Sequence, residues 1–369
     1  MTDSSDDILS LLADSAGSFV ADRYADRPPR LDLDAPWLVD RGRWAEMADL
    51  GWLGLAVPEA LGGLDAGFAA ATTLAEVLGR SAVPEPLVAA AIMPGVLLSR
   101  CAEESPLAAR LAETVVNGSG LVTLAWQEAA GVIFHAAPTA RLTGARVTGT
   151  KVFVPVAEDD AMLVVWATDG TRPVLVAVDA GGPGVEVARQ SGGLMTMATV
   201  RLKEAPILDD AVLLAGPAAA DALAAALEAG RVAASAYLCG LAAGVLDKTV
   251  AYVNERVQFG RPIGSFQTIQ HRCVDYRMAI MLAGAAWRNA ARAVEADPLS
   301  AAAAAAISAA KARCGDAAMT ASKGAVQMHG AMGFTEEGGV GPYLRAAMQM
   351  ASWLGNSTAH RRRFLDTAA

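Results

Sequence analysis

The hydrophobic period of this chain changes twice, and that change limits its fold more than any other feature. Up to about residue 120, apolar residues recur at helical spacing. Ile8, Leu11, Leu12 and Phe19 predict an amphipathic helix over 4–25. The same pattern over 37–50 ends at Gly51, and a third helix over 68–78 places Gly79 at its C′ position. Pro84 and Pro86 then enforce a short extended piece.

From 121 to about 210 the period shortens. Residues 141–155 alternate, and 161–167 and 174–178 are compact β-type runs. Shorter candidates lie at 185–187 and 199–202. Gly131, Gly144, Gly149, Gly170, Gly181, Gly182 and Gly184 punctuate them, as turns between strands require. After 211 the helical period returns in long segments over 217–256, 266–295 and 301–327, with Pro298 between the last two. Gly230, Gly240 and Gly244 are candidate close-packing points. The expected fold is α+β: an N-terminal helical domain (1–120), a middle β domain (121–210) and a C-terminal helical bundle (211–369).

A mean hydropathy of +0.33 raises the question of a membrane. The charge-free runs 86–99 and 232–246 are both shorter than the about 20 residues a spanning helix needs, so they read as buried helices. The acidic stretch 1–9 has no basic segment ahead of an apolar run, so no membrane span or secretory signal is expected and the chain reads as cytoplasmic. Net charge is −9, which argues against nucleic acid as a partner. Cys101, Cys239, Cys273 and Cys314 are far apart and read as reduced thiols, and no residues show metal-ligand spacing. His271, His329 and His360 read as hydrogen-bonded structural residues, and the run Arg361, Arg362, Arg363 as an exposed charged face.

Four strings carry more specific information. The first is GWLGLAVPEALGG over 51–63, followed by EVLG over 76–79. The second is Gly149-Thr150-Lys151. The third, ERVQFGRPIGSFQ over 255–267, places Arg256 and Phe259 at i and i+3, at one helix end. An arginine there can pair with a pyrophosphate, and an aromatic can stack on a base. The fourth is QMHGAMGF over 327–334, with Arg345 downstream. In this order the strings resemble the acyl-CoA dehydrogenase family over nearly the whole chain.

The resemblance implies a helical domain, a β domain and a four-helix domain, usually in tetramers. It also implies a reaction. A glutamate removes the α-proton of an acyl-CoA thioester while the β-hydrogen leaves as hydride to FAD. By the same resemblance, Arg256, Phe259, Gln267, Gln327, Met328, His329, Gly330 and Ala331 match groups that contact the FAD of a neighbouring subunit.

Other positions depart from the family. The loop that holds the chain's own flavin corresponds to 127–133. It keeps Glu128 and Gly131, but has Gln127 for a threonine and Val132-Ile133 for a Ser-Asp pair. An aromatic and a threonine near the flavin ring correspond to Phe153 and Pro155, and Pro155 has no N–H or hydroxyl to donate. Both family positions for the glutamate base lack an acid. One, nine residues after Arg345, is Leu354, and the other, 26 residues before Arg256, is Gly230. No catalytic residue is therefore assigned. Glu336 and Glu337 are the positional candidates for a substitute, although they, like Glu228, Asp275 and Asp316, read as solvated surface residues.

The pattern implies a subunit that completes a partner's FAD site in an α2β2 assembly with a second acyl-CoA dehydrogenase-like chain. Some actinobacterial enzymes acting on steroid side-chain CoA thioesters are built this way. Substrate would be a fatty or steroid acyl-CoA, with electron-transfer flavoprotein as acceptor. The alternatives are a self-sufficient homo-oligomer with a relocated base, and a flavin-free binding module.

Overall fold

The computed structural model describes residues 2–24, 38–134, 136–190, 193–208 and 210–368. The chain divides into two compact units, one of 32–71 and 85–230 and the other of 1–31, 72–84 and 231–369.

The first unit begins with α2 (Arg41–Asp49), whose N-cap Asp40 accepts from the Arg43 amide. Leu50 closes it and Gly51 leaves at φ 74°, as expected for a glycine stop. Trp37, where this helix was expected to start, lies outside the described residues. Residues 86–99 are buried helix as expected, in a π-helical turn (Leu87–Ile92) that runs into α4 (Met93–Cys101). Ser105 caps α5 (Pro106–Val116), with proline at its first turn.

An eight-stranded sheet follows: β1 (Val122–Ala125), β2 (Arg141–Thr143), β3 (Arg146–Pro155), β4 (Met162–Thr168), β5 (Pro173–Asp179), β6 (Val185–Gln190), β7 (Met197–Pro206) and β8 (Val212–Ala215). The order is β6-β7-β3-β2-β4-β5-β8, with β1 parallel to β4. Strands β4 and β5 are buried on both faces, whereas β6 alternates. β1 and β8 were not foreseen. Each has four residues, too few to show a period, and β8 lies in sequence that read as helical.

The second unit starts with α1 (Thr2–Tyr24). Among its described side chains Ala16, Val20 and Tyr24 are buried, while the expected Ile8 and Leu11 are 54% and 69% exposed. Helix α3 (Phe68–Arg80) joins this unit from residue 72. α6 (Pro217–Glu255) runs through the boundary between the units. It is long and apolar enough to cross a membrane by length and composition, but that stretch is wholly buried in protein. The bundle is completed by α7 (Gln267–Ala296), α8 (Ala301–His329), α9 (Gly341–Ser352) and α10 (Ser357–Ala368).

Glycines set the spacing of α3 against α6. A Cβ at Gly240 would lie 1.9 Å from the Glu76 carbonyl oxygen, and one at Gly244 1.8 Å from that of Arg80. Gly79 does not end α3. It sits within the helix, where a Cβ would meet the Tyr237 carbonyl oxygen at 2.1 Å.

Along α7, Val274, Met278, Met281 and Leu282 form an exposed apolar stripe at helical spacing. Beside it, α7, α8 and α10 border a groove of about 810 Å³ whose walls include Tyr276, Leu282, Phe364 and Leu365.

Candidate cofactor-binding site

Helix α6 ends where the Arg256 amide donates to the Tyr252 carbonyl, at 2.9 Å. Beyond it the chain reverses in a two-residue hairpin between β9 (Val257–Gln258) and β10 (Arg261–Pro262). Phe259 and Gly260 form the tip at φ 55° and 78°, the paired left-handed geometry that matches strand twist. Glycine adopts it freely, whereas a phenylalanine is strained there. Phe259 is 92% exposed. Phe266 meets it edge-on at 6.1 Å, and the Arg261 guanidinium lies 4.2 Å above the Phe266 ring. Arg256 is exposed and has no ion pair among the described residues. Gln267 is also exposed and opens α7.

The second string closes α8. Gln327 is exposed, Met328 and His329 are buried, and Gly330 and Ala331 are exposed. Gly330 adopts φ 60°, ψ −133°, and its amide donates to the Gln327 carbonyl. The His329 ring stacks on Tyr252 with centroids 4.1 Å apart and planes 16° apart. The Tyr252 hydroxyl donates to the His329 carbonyl at 3.3 Å. Because Tyr252 lies one turn before Arg256 on α6, the two strings are brought together. Phe334 is 86% exposed. Glu336 and Glu337 follow it in an exposed loop.

The corner between α9 and α10 carries Leu354, which is buried at φ 60°. Its carbonyl accepts from Arg231 Nε at 3.3 Å and His360 Nε2 at 3.0 Å. Lys311 Nζ donates to the carbonyls of Met350 (3.0 Å), Ala351 (3.0 Å) and Gly355 (2.9 Å). All three basic side chains are buried. Burial, with the charge of Arg231, pushes Lys311 down to about 7. Burial, then the charges of Lys311 and Arg231, push His360 down to about 3. A carbonyl only accepts, so the neutral His360 ring carries its proton on Nε2. Three helices thus bring three nitrogen donors to the main-chain carbonyls of this corner. Gly230 is buried inside α6. Glu228 is also buried, at 6% exposure, because α6 has no solvated face there; this corrects the solvated reading. Asp275 is exposed, and the half-buried Asp316 is paired with Arg361.

In the other unit, Glu128 is fully engaged. It accepts from Lys151 Nζ at 2.6 Å, from the Thr139 amide (2.8 Å) and hydroxyl (2.7 Å), and from the Ala140 amide (2.9 Å). Burial alone would raise its pKa, but these donors hold it below the ordinary carboxylate range. Lys151 is buried and also bonds the Trp166 carbonyl. Gln127 Nε2 donates to the carbonyls of Ala129 (3.0 Å) and Val132 (2.8 Å), so the 127–132 loop closes on itself. Phe153 sits at φ 54° beside a register shift in β3, and Pro155 pairs with Met197.

Comparison with known proteins decides the family. The profile "Acyl-CoA dehydrogenase, N-terminal domain" matches residues 7–104, and "Acyl-CoA dehydrogenase, C-terminal domain" matches 220–368. Acyl-CoA dehydrogenase FadE27 of Mycobacterium tuberculosis is 30% identical, over 88% of this chain and 87% of its own. The chain belongs to the acyl-CoA dehydrogenase family. Acyl-CoA dehydrogenase IpdE2 of Mycolicibacterium smegmatis is 27% identical over 96% of both chains. Among solved structures, a variant of the "Tcur3481-Tcur3483 steroid ACAD" superimposes with a TM-score of 0.84, at 28% identity, over 99% of this chain and 98% of its own. The acyl-CoA dehydrogenase fold, with helical, β and helical parts, is the expected one. Tyr252 and the Arg231–Lys311–His360 cluster escaped the sequence. The signal for Tyr252 was its i, i+4 spacing from Arg256, but the cluster has none, because its members lie on three different helices.

Proposed function

We propose that this acyl-CoA dehydrogenase chain is the cofactor-completing subunit of a heteromeric enzyme, inactive alone. A partner chain supplies the glutamate base and the flavin-ring cradle. The reading is carried by Leu354, which the resemblance aligns with the base and which lies in a buried corner whose main-chain carbonyls are held by Arg231, Lys311 and His360. Leucine cannot take a proton, and the surrounding donors offer no other acid.

Two halves of the molecule fit FAD differently. Arg256, exposed and unpaired among the described residues, and Phe259, held out at a strained hairpin tip, suit a pyrophosphate and an adenine. Gln267 and the turn from Gln327 to Ala331 complete that half. The 127–132 loop does not fit the flavin ring, since Gln127 occupies its carbonyls and Glu128 is committed to Lys151. When bound, FAD accepts the hydride from the β-carbon of the acyl thioester. This chain's residues would bind and orient the nucleotide end.

The apolar stripe on α7 supports assembly with another chain. The solved relative named above carries two chain names and the words steroid ACAD. Both points favour an α2β2 complex acting on a fatty or steroid acyl-CoA, with electron-transfer flavoprotein as acceptor. The test is flavin per chain after gel filtration, alone and co-expressed with an acyl-CoA dehydrogenase-like partner. The expected result is a colourless lone chain and about half a flavin per chain in the complex, reduced by Arg256→Ala. One flavin per lone chain, or unchanged flavin in the Arg256→Ala complex, refutes the reading.

A further inference from the structure

We propose that Tyr252 is the positioning residue of the nucleotide half-site, holding the Gln327–Ala331 turn in register with Arg256. This rests on the FAD reading above. Tyr252 is bonded to both strings at once. Its backbone carbonyl accepts from the Arg256 amide at 2.9 Å, which fixes where α6 releases the chain into the Phe259 hairpin. Its hydroxyl donates to the His329 carbonyl at 3.3 Å, and its ring lies 4.1 Å from the His329 ring.

The peptide between His329 and Gly330 is thereby pinned at both ends. Tyr252 holds its C=O, and the Gln327 carbonyl holds its N–H. Gly330 can then leave at φ 60°, ψ −133°, a conformation closed to other residues. The His329 ring is fixed as well. Its Nδ1 lies 2.8 Å from the Ala325 carbonyl, so Nδ1 carries the proton. Burial lowers the pKa of that ring below the ordinary histidine value, which favours its neutral form. Gln327 and Ala331, exposed on either side of the pinned peptide, inherit their orientation from it. Tyr252 itself is half-buried, which suits a positioning group better than a contact group.

Two variants separate its parts. Tyr252→Phe keeps the ring stack and loses the hydroxyl, and Tyr252→Leu loses both. Each is purified in the oligomer that carries flavin, stripped, and titrated with FAD by flavin fluorescence well below its Tm. Arg256→Ala is run beside them. We expect Kd for FAD to rise about tenfold in Tyr252→Leu and about threefold in Tyr252→Phe, with the Tm of Tyr252→Phe close to wild type. A merely structural tyrosine would lower Tm and leave Kd unchanged, and that outcome overturns the proposal. If Tyr252→Leu does not fold, a wild-type Kd in Tyr252→Phe overturns it alone. If Arg256→Ala weakens FAD and the Tyr252 variants do not, positioning by Tyr252 is wrong. If Arg256→Ala has no effect, or no oligomer carries flavin, the FAD reading beneath it is wrong.

Discussion

Replacing Lys311 by methionine removes a fully buried amine with little change in volume. In the folded chain burial brings this group to about 7, against 10.5 unfolded. Between those values the unfolded chain binds a proton that the folded chain does not. Stability of the wild type therefore rises with pH across this window, by about 1.4 kcal/mol per unit for one proton. The destabilising effect of the folded-state charge is fully present below pH 7 and gone near 10.5. The whole window corresponds to roughly 5 kcal/mol. Lys311→Met lacks this dependence, while groups that titrate alike in both proteins cancel. His360 is neutral over the range, because it is pushed down to about 3. The wild-type-minus-variant difference should thus grow with pH. The assay is urea unfolding at pH 6.5 to 9.5, followed through the buried Trp287 of the same unit. A flat difference, or one that shrinks as pH rises, refutes the assignment of Lys311 as a depressed amine.

Other consequences are open to test. Arg256→Ala should lower flavin content in the complex and leave the Tm of the lone chain unchanged, and the Tyr252 pair should weaken FAD in the graded manner described. Lys151→Met leaves Glu128 with its buried partner removed, and should lower stability by about 3–5 kcal/mol in chemical denaturation. Adding Glu128→Gln should recover part of that loss. Leu354→Glu supplies a carboxylate at the position where the proposed reading finds the base missing, while under that reading the flavin-ring cradle still belongs to the partner. The lone variant should show no acyl-CoA oxidation with a dye acceptor. Turnover above the wild-type background would show that the base was the one missing component.

Periodicity revealed the long helices and the longer strands because their buried faces repeat several times. It failed where an element was short or its burial unusual. β1 and β8 have four residues each. In α1 the small Ala16 is buried while the larger Ile8 and Leu11 are exposed, so size misled the reading. Gly79 looked like a helix end, because a glycine that admits a neighbouring backbone and one that ends a helix are the same letter. At the site, the Arg256 and Gln327 strings were legible as local patterns. The proposed loss of a base rests on Leu354 and Gly230, which the resemblance aligns with its two positions. The buried basic cluster around the Leu354 corner was not legible, since residues 231, 311 and 360 meet only through the packing of three helices. The commitment of Glu128 to Lys151 was hidden in the same way, by a separation of 23 residues between a loop and strand β3.

The crossing of α3 and α6 also bears on how this chain can change over generations. Every single-nucleotide change in a glycine codon that still encodes a different residue introduces a side chain. At Gly79, Gly240 and Gly244 that side chain would meet a main-chain carbonyl oxygen, which cannot rotate aside. No neutral first step leads away from these positions. Compensation would require both helices to separate at once, so the three codons should keep encoding glycine in any lineage that keeps the fold, whatever happens to its chemistry.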